Sequence, residues 1–431
     1  MTHRANRQLR VGALARVEGE GALDVTVADG RVERADLRIY EPPRFFEAFL
    51  RGRAYTEPVD ITARICGICP VAYQLSASRA IEDACGITVP APVADLRRLL
   101  YCGEWIGGHA LHIYLLHAPD FLGYPDAIAL ATDHRDLVTR GLTLKKAGNA
   151  IMTLVGGRAI HPVNLKLGGF YRAPTRAELA PLAEQLRHAL DDALATVAWV
   201  ATFDFPDLEL DHELLALSEP DRYAIDSGRP RTASGASFDV SEFPDHVVER
   251  QVPHSTALHS SLDGRRHLVG PLARYTINSA TLSPTARQAA DAAGLGPTCR
   301  NPFRSIVVRA VEVVYAIDEA LRLIDGYDRP EPASVDVPVR AGVGHGATEA
   351  PRGLLYHRYD IGADGLIRDA DIVPPTAQNQ PAIEDDMKRL VQANLDLADH
   401  PLQSLCERAI RNYDPCISCS AHFLDLRVVH R

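Results

Sequence analysis

Hydrophobic and polar positions alternate with period two near the start of the chain and follow a helical period over most of the rest. Ala22-Leu23-Asp24-Val25-Thr26-Val27 alternates, Ala28-Asp29-Gly30-Arg31 reads as a turn, and residues 32–39 resume the alternation, so residues 9–40 are expected to form strands around a hairpin. From Pro42 the period changes. Phe45, Phe46, Phe49 and Leu50 fall on one helical stripe, and Glu47 on the opposite, ordinarily solvated side. Within residues 61–86, Pro70 is well placed to open a helix that ends at Gly86. Residues 94–117 read as a long amphipathic helix with His109, His112 and His117, closed by Asp120. The capping box Thr175-Arg176-Ala177-Glu178 opens an Ala/Leu helix to about Val200. Residues 204–280 are mixed and turn-rich. Helices are expected from Ser283-Pro284 to near Gly294, over 305–326, from Pro381 to about Asp399, and briefly from Pro401. The pattern implies a mainly α fold with a small N-terminal β region, α+β in class.

Composition narrows the function more than the fold. The 431 residues are 46% hydrophobic and 24% charged, ordinary values for a globular protein with a large core. A net charge of -10 disfavours broad binding to nucleic acid or anionic membranes. Residues 1–16 have no apolar core of a signal peptide, and no apolar run reaches the ~18 residues of a spanning helix. A cytoplasmic location without membrane insertion is the expectation. Two glycine-rich stretches, 156–162 with Gly168-Gly169-Phe170 and 341–353, lack the Lys-Ser/Thr of a phosphate loop and the strand–helix setting of a dinucleotide fingerprint.

The candidate chemistry lies in cysteine. Cys66-Gly67-Ile68-Cys69-Pro70 near one end and Asp414-Pro415-Cys416-Ile417-Ser418-Cys419-Ser420-Ala421-His422 at the other each place two sulfurs on one turn. Four such thiolates, brought together, would hold a soft metal: zinc, copper(I), iron–sulfur or nickel. Zinc ribbons space their pairs about 15–20 residues apart, whereas nearly the whole chain intervenes here. Disulfides are disfavoured in a chain read as cytoplasmic. Cys85, Cys102, Cys299 and Cys406 are scattered singly and read as small buried hydrophobes. If both pairs bind one centre, the two ends of the chain must meet, and residues 1–431 form one interwoven domain.

These residues resemble the large, catalytic subunit of nickel–iron hydrogenases. Arg64-Ile65-Cys66-Gly67-Ile68-Cys69 and the 414–422 motif look like its two cysteine signatures, and residues 16–19, 156–162 and 349–353 resemble three further blocks in the family's order. Pro374-Pro375-Thr376-Ala377-Gln378-Asn379-Gln380 and the Cys-Ile-Ser-Cys wording are most similar to cytoplasmic, bidirectional members coupled to NAD(P), sometimes with sulfur-reducing activity. The resemblance implies the nickel–iron hydrogenase large-subunit fold and a Ni–Fe centre bearing CO and cyanide. Cys66 and Cys416 would be terminal on nickel, and Cys69 and Cys419 bridging. It implies Arg352 poised over the open site, Asp120 orienting it, and Glu18 as proton gate. Glu47, His422 and the Asp371 carbonyl would hold a magnesium-like ion. Residues 423–431 would be a C-terminal propeptide removed by a maturation protease after nickel insertion.

No further cysteine cluster or dinucleotide motif was found in the sequence, so no iron–sulfur cluster, flavin or nucleotide is expected in this chain. Electrons would leave through an iron–sulfur small subunit to flavin- or NAD(P)-binding, diaphorase-type subunits. The chain departs from the family pattern at Glu20 and Tyr73, where histidine is frequent, and at Pro375, where a hydroxyl residue often stands. Competing readings are the large subunit of a membrane-associated energy-converting hydrogenase and, in a different class, a structural zinc-binding scaffold.

Overall fold

Alternation at the N-terminus folds as the pattern implies. The computed structural model describes residues 7–42, 44–209 and 211–421. Strands Arg7–Val11, Gly21–Ala28 and Arg31–Ile39 form an antiparallel sheet in that order. Asp29 and Gly30 make its hairpin turn, both with positive φ, the conformation a two-residue turn between right-twisted strands requires. Leu23, Val25, Val27, Leu37 and Ile39 bury one face.

Four helices, Ala91–Leu111, Arg135–Gly156, Arg176–Val200 and Ser305–Asp325, pack side by side as the helical core. Ser305–Asp325 is apolar nearly all round, and almost all its residues are buried. The pattern leaves 135–156 unassigned because Arg135, Asp136, Arg140, Lys145 and Lys146 dilute its apolar stripe. Gly148 on that helix lies so close to the Ala91–Leu111 helix that a Cβ would sit 2.5 Å from the Gly103 carbonyl oxygen. The helix expected over 94–117 ends as an α-helix at Leu111 and continues as a π-helical turn, His112–His117. The histidine row serves packing: His109 Nε2 lies 3.0 Å from Glu312, and His112 Nε2 lies 2.8 Å from the Arg411 carbonyl oxygen.

The glycine-rich stretch 341–353 is a strand and its turn. Gly342–Ala350, Gly353–Ile361 and Ile367–Val373 form a second antiparallel sheet, against which helix Pro70–Cys85 lies. A Cβ on Gly344 or Gly346 would fall 2.0 and 2.4 Å from the carbonyl oxygens of Ala80 and Ser76 in that helix. The glycines therefore mark close approach of helix to strand.

Helix Pro375–Ala393 starts six residues before the expected Pro381, which sits inside it. Tertiary bonds explain the difference. Gln378 donates to the Leu354 carbonyl (2.8 Å), Asn379 accepts from the Val269 amide (2.8 Å), and Gln380 donates to the Leu258 carbonyl (3.2 Å). These fix the first turns despite one missing backbone donor. The short helix expected from Pro401 is Asp399–Asn412. Both C-terminal helices pack on the N-terminal sheet. Among the described residues, no helix is long and apolar enough to cross a membrane.

Gly344→Leu should lower the melting temperature by several degrees or prevent folding, since overpacking against fixed backbone costs on the order of 1–3 kcal/mol or more. A thermal melt matching the wild type would show that helix and strand can separate cheaply there.

Candidate metal centre

Backbone pairing between the two ends of the chain builds the site. Glu18 and Cys416 form a parallel bridge, in which the Ile417 amide donates to the Glu18 carbonyl at 3.0 Å. Cys69 caps helix Pro70–Cys85, and the free first-turn amides of Val71 and Ala72 donate to the buried Glu104 carboxylate at 2.6 and 3.1 Å. Burial holds the Glu104 carboxyl well above its ordinary range. Arg44 joins the two cysteine loops, donating to the Ile65 carbonyl (2.6 Å) and to the Ser418 carbonyl. The block around His161 supports the first loop: its Nδ1 lies 2.6 Å from the Ala63 carbonyl oxygen, and Gln74 donates to the Pro162 carbonyl at 2.9 Å.

Cys66, Cys69, Cys416 and Cys419 are thereby gathered with all four sulfurs within 4.8 Å of one another, every one buried. Sγ–Sγ separations are 3.3 Å for Cys66–Cys416, 3.5 Å for Cys69–Cys419 and 2.9 Å for Cys416–Cys419. No disulfide is formed among the described cysteines. Neighbouring thiols donating to Cys66 favour its thiolate, while burial and the other sulfurs hold Cys416 protonated. Four convergent, buried soft donors suit a thiophilic metal far better than a hard cation. Tyr73 is buried beside Cys69 and Cys419, and burial raises its phenol well above the usual range.

Arg352 is buried and within electrostatic reach of Cys416, Cys69 and Cys66. Its partner is Asp414: Nη2 donates to the carboxylate at 2.9 Å and Nε to the backbone carbonyl at 2.8 Å, leaving Nη1 buried without a hydrogen-bond partner. This differs from the expectation that Asp120 orients Arg352. Asp120 instead accepts two bonds from Arg411 (2.6 and 2.9 Å) and one from Arg16. Arg411 also donates to the Ala15 carbonyl at 2.9 Å and Arg16 to the Leu116 carbonyl at 2.9 Å. Asp120 thus positions the segment that carries Glu18. The physical reason is adjacency: Asp414, two residues before Cys416, already fills the space beside Arg352.

Glu18 Oε2 lies 3.2 Å from Cys416 Sγ and accepts from the Ser418 amide at 3.0 Å. Ser418 Oγ donates to Glu41 at 2.8 Å, so a second, half-buried carboxylate follows on the outward side. Glu41, Arg44 and Arg274 carry no signal in the sequence, and Asp414 stands there only as the first residue of the second cysteine motif. Arg274, in the turn-rich 204–280 stretch, is fully buried, pairs with Glu312 (2.8 and 2.7 Å) and Glu349 (3.1 Å), and donates to the Ala350 and Pro351 carbonyls at 2.8 and 2.9 Å. It fixes the turn that presents Arg352.

Glu47 is half-buried rather than solvated, and accepts from the Ile372 amide at 2.8 Å, against the Asp371–Ile372 peptide. Burial, with Asp371 and Asp369 nearby, pushes its carboxyl up to about 8. The Asp371 side chain is engaged by Arg358 at 2.8 Å. Glu249, overlooked in the sequence, lies within electrostatic reach of Glu47 with Oε1 buried and unpartnered. His422 and residues 423–431 lie outside the described residues.

A buried four-thiol cluster flanked by an arginine and a carboxylate defines a thiolate-ligated metal oxidoreductase site. Comparison with known proteins identifies its kind. The family model described as nickel-dependent hydrogenase matches residues 44–136 and 260–422, and the chain belongs to that family. Sulfhydrogenase 1 subunit alpha of Pyrococcus furiosus is 34% identical over 422 residues, covering 97% of this chain and 98% of that protein. Sulfhydrogenase 2 subunit alpha of the same organism is 35% identical over 427 residues, covering 97% and 100%. The crystal structure of an NAD+-reducing [NiFe]-hydrogenase in the H2-reduced state matches with a TM-score of 0.85 at 28% identity, covering 97% of this chain and all of that one. The zinc-scaffold reading is set aside.

Removing one member of a buried ion pair costs about 3–5 kcal/mol. Asp414→Ala should therefore lower the melting temperature and reduce H2 turnover. Asp120→Ala should leave Arg352 in place and speed amide hydrogen exchange across Ala15 to Glu18. Fast exchange in that segment with Asp414→Ala alone would reverse this assignment of partners.

Proposed function

We propose that the chain cleaves and forms H2 heterolytically at a Ni–Fe(CO)(CN)2 centre held by Cys66, Cys69, Cys416 and Cys419. The gathering of all four buried sulfurs within 4.8 Å carries this reading. Held there, the centre supplies Lewis acidity and accessible redox states for splitting H2 into two protons and two electrons. The chain's part is to take and move protons. Cys416 Sγ donates toward Glu18 Oε2 at 3.2 Å, so a proton carried on that sulfur passes to the Glu18 carboxylate. Ser418 and Glu41 continue that polar line outward. Arg352, held by Asp414, contributes a fixed positive charge within electrostatic reach of the sulfurs and one N–H without a partner. The four cysteines are at most 3% exposed, which keeps bulk water from the sulfurs.

Electron exit needs a partner. The other four cysteines join no metal-competent group among the described residues, which supports an iron–sulfur small subunit as the first acceptor. NAD(P), through flavin- and nucleotide-binding subunits, is the acceptor favoured by the likeness to the NAD+-reducing enzyme. Glu47 at the Asp371–Ile372 peptide supports a magnesium-like ion, whose charge would relieve the crowded carboxylates Glu47 and Glu249.

Elemental analysis of the purified complex tests the central claim. One nickel per chain is expected, lost on Cys66→Ser or Cys419→Ser, together with infrared bands of CO and cyanide. Stoichiometric zinc without nickel would sink it. Glu18→Gln should keep metal content and para/ortho-hydrogen conversion but cut hydrogen–deuterium exchange with water at least about a hundredfold, in line with the loss of a positioned proton carrier. Equal loss of both reactions would place Glu18 in assembly of the centre instead.

A further inference from the structure

Away from the four cysteines, two histidines and a glutamate meet. His254 lies in the turn between strands Val247–Arg250 and His259–Leu262, His259 opens the second strand, and Glu384 lies on helix Pro375–Ala393. One ligand atom from each lies within 4.8 Å of the others. His254 Nε2 is 2.7 Å from Glu384 Oε1, and His259 Nε2 is 3.9 Å from the same oxygen. The His259 side chain is only 3% exposed, and its Nε2 has no hydrogen-bond partner among the described residues. The neighbouring Gln380 side chain accepts from Ser255 and donates to the Leu258 carbonyl, each at 3.2 Å, and lies close enough to interact with the His259 ring.

A buried imidazole nitrogen left bare beside a carboxylate is costly unless something occupies the gap. Two imidazoles and one carboxylate are a ligand set for a divalent first-row ion, at about 2.0–2.2 Å from each atom in the case of zinc. The separations of 2.7 and 3.9 Å bracket the ~3.3 Å between ligands of a tetrahedral zinc, so closure needs only small side-chain shifts. Asp36 adds negative charge near both His259 and Glu384, opposed by Arg250. The His254 side chain is 19% exposed, which opens the cluster to solvent.

We propose that His254, His259 and Glu384 form a second metal site that takes zinc and fastens the 251–258 turn to the Pro375–Ala393 helix. The site is a structural clamp with a bearing on the first. Glu384 Oε1 also accepts from the Leu37 amide at 2.9 Å, which ties the N-terminal sheet to the same point. Thr256, between the two histidines, donates its amide to the Ile39 carbonyl at 2.8 Å and its hydroxyl to the Glu41 carbonyl at 2.8 Å. Ala257 packs with Ile39 and Ile417, next to Cys416. A cation here stiffens the wall that holds Glu41 and the Cys416 turn. The inference is independent of which metal the cysteines hold.

The test uses the intact complex, treated with a chelator, returned to zinc chloride and desalted. Wild type should retain about one more zinc per chain than His254→Ala or Glu384→Gln, and zinc should raise its melting temperature by several degrees while leaving both variants unmoved. Nickel content of His254→Ala, expected at the wild-type level, reports that the variant folds. Anomalous diffraction at the zinc edge on wild-type crystals gives the location without any variant. Equal zinc in wild type and variants, or an anomalous map with no peak between these three side chains, overturns the proposal.

Discussion

The structure depends on joining residue 18 to residue 417. Sulfurs from opposite ends of the sequence must be held together in a buried space, where like groups have no intrinsic reason to meet. One parallel bridge, Glu18 with Cys416, does this, and Arg44 crosses between the loops that carry the two pairs. The Glu18–Cys416 and Arg44–Ser418 connections each span several hundred residues, so their loop-closure entropy is large and is offset only by the core that forms around them. The N-terminal sheet and the C-terminal helices pack on each other for the same reason.

Around the sulfurs, buried charges come in closed sets. Arg274 is saturated by Glu312, Glu349 and two carbonyls while lying 4.5 Å over the Trp105 ring, Arg97 is held by Glu82, and Arg98 by Asp226 and Glu319. Such sets add little net stability over apolar packing, but breaking any one leaves a charge stranded. Their value is geometric. The Arg274 set holds the Ala350 and Pro351 carbonyls, and hence the direction in which Arg352 leaves the turn. Arg352, like Arg97 and Arg309, keeps one buried nitrogen without a hydrogen-bond partner, and its guanidinium is within electrostatic reach of Cys416, Cys69 and Cys66.

The metal set was legible in sequence because four cysteines in two CxxC pairs, framed by ordered blocks, leave few alternatives. The hairpin and the capped helices were legible from period and cap residues. Less legible were features decided by tertiary contact. Gly344 and Gly346 look like loop punctuation, yet they let a strand touch a helix backbone. Pro381 looks like a helix start, yet Gln378, Asn379 and Gln380 are anchored ahead of it. Arg274 and Glu249 sit in a stretch whose short strands show no clear alternation. The partner of Arg352 was misassigned because two carboxylates, Asp120 and Asp414, are shared among three arginines, Arg16, Arg352 and Arg411, and spacing along the chain does not say which pairs with which.

That division of carboxylates has a consequence for how the site is laid out. Asp414, with a left-handed φ of 50°, turns the chain just before Cys416, and Ser418 follows two residues after it. Arg352 is fastened on the Asp414 side; Glu18 is fastened on the Ser418 side. Cys416 stands between a fixed cation and a proton-accepting carboxylate, and five residues of backbone set both distances. Asp120 acts at one remove, through Arg16 and Arg411, on the approach of Glu18 alone. Positive charge and proton acceptor are therefore held by separate supports, so one can be adjusted without collapsing onto the other, and a direct Arg352–Glu18 ion pair that would silence both is kept from forming.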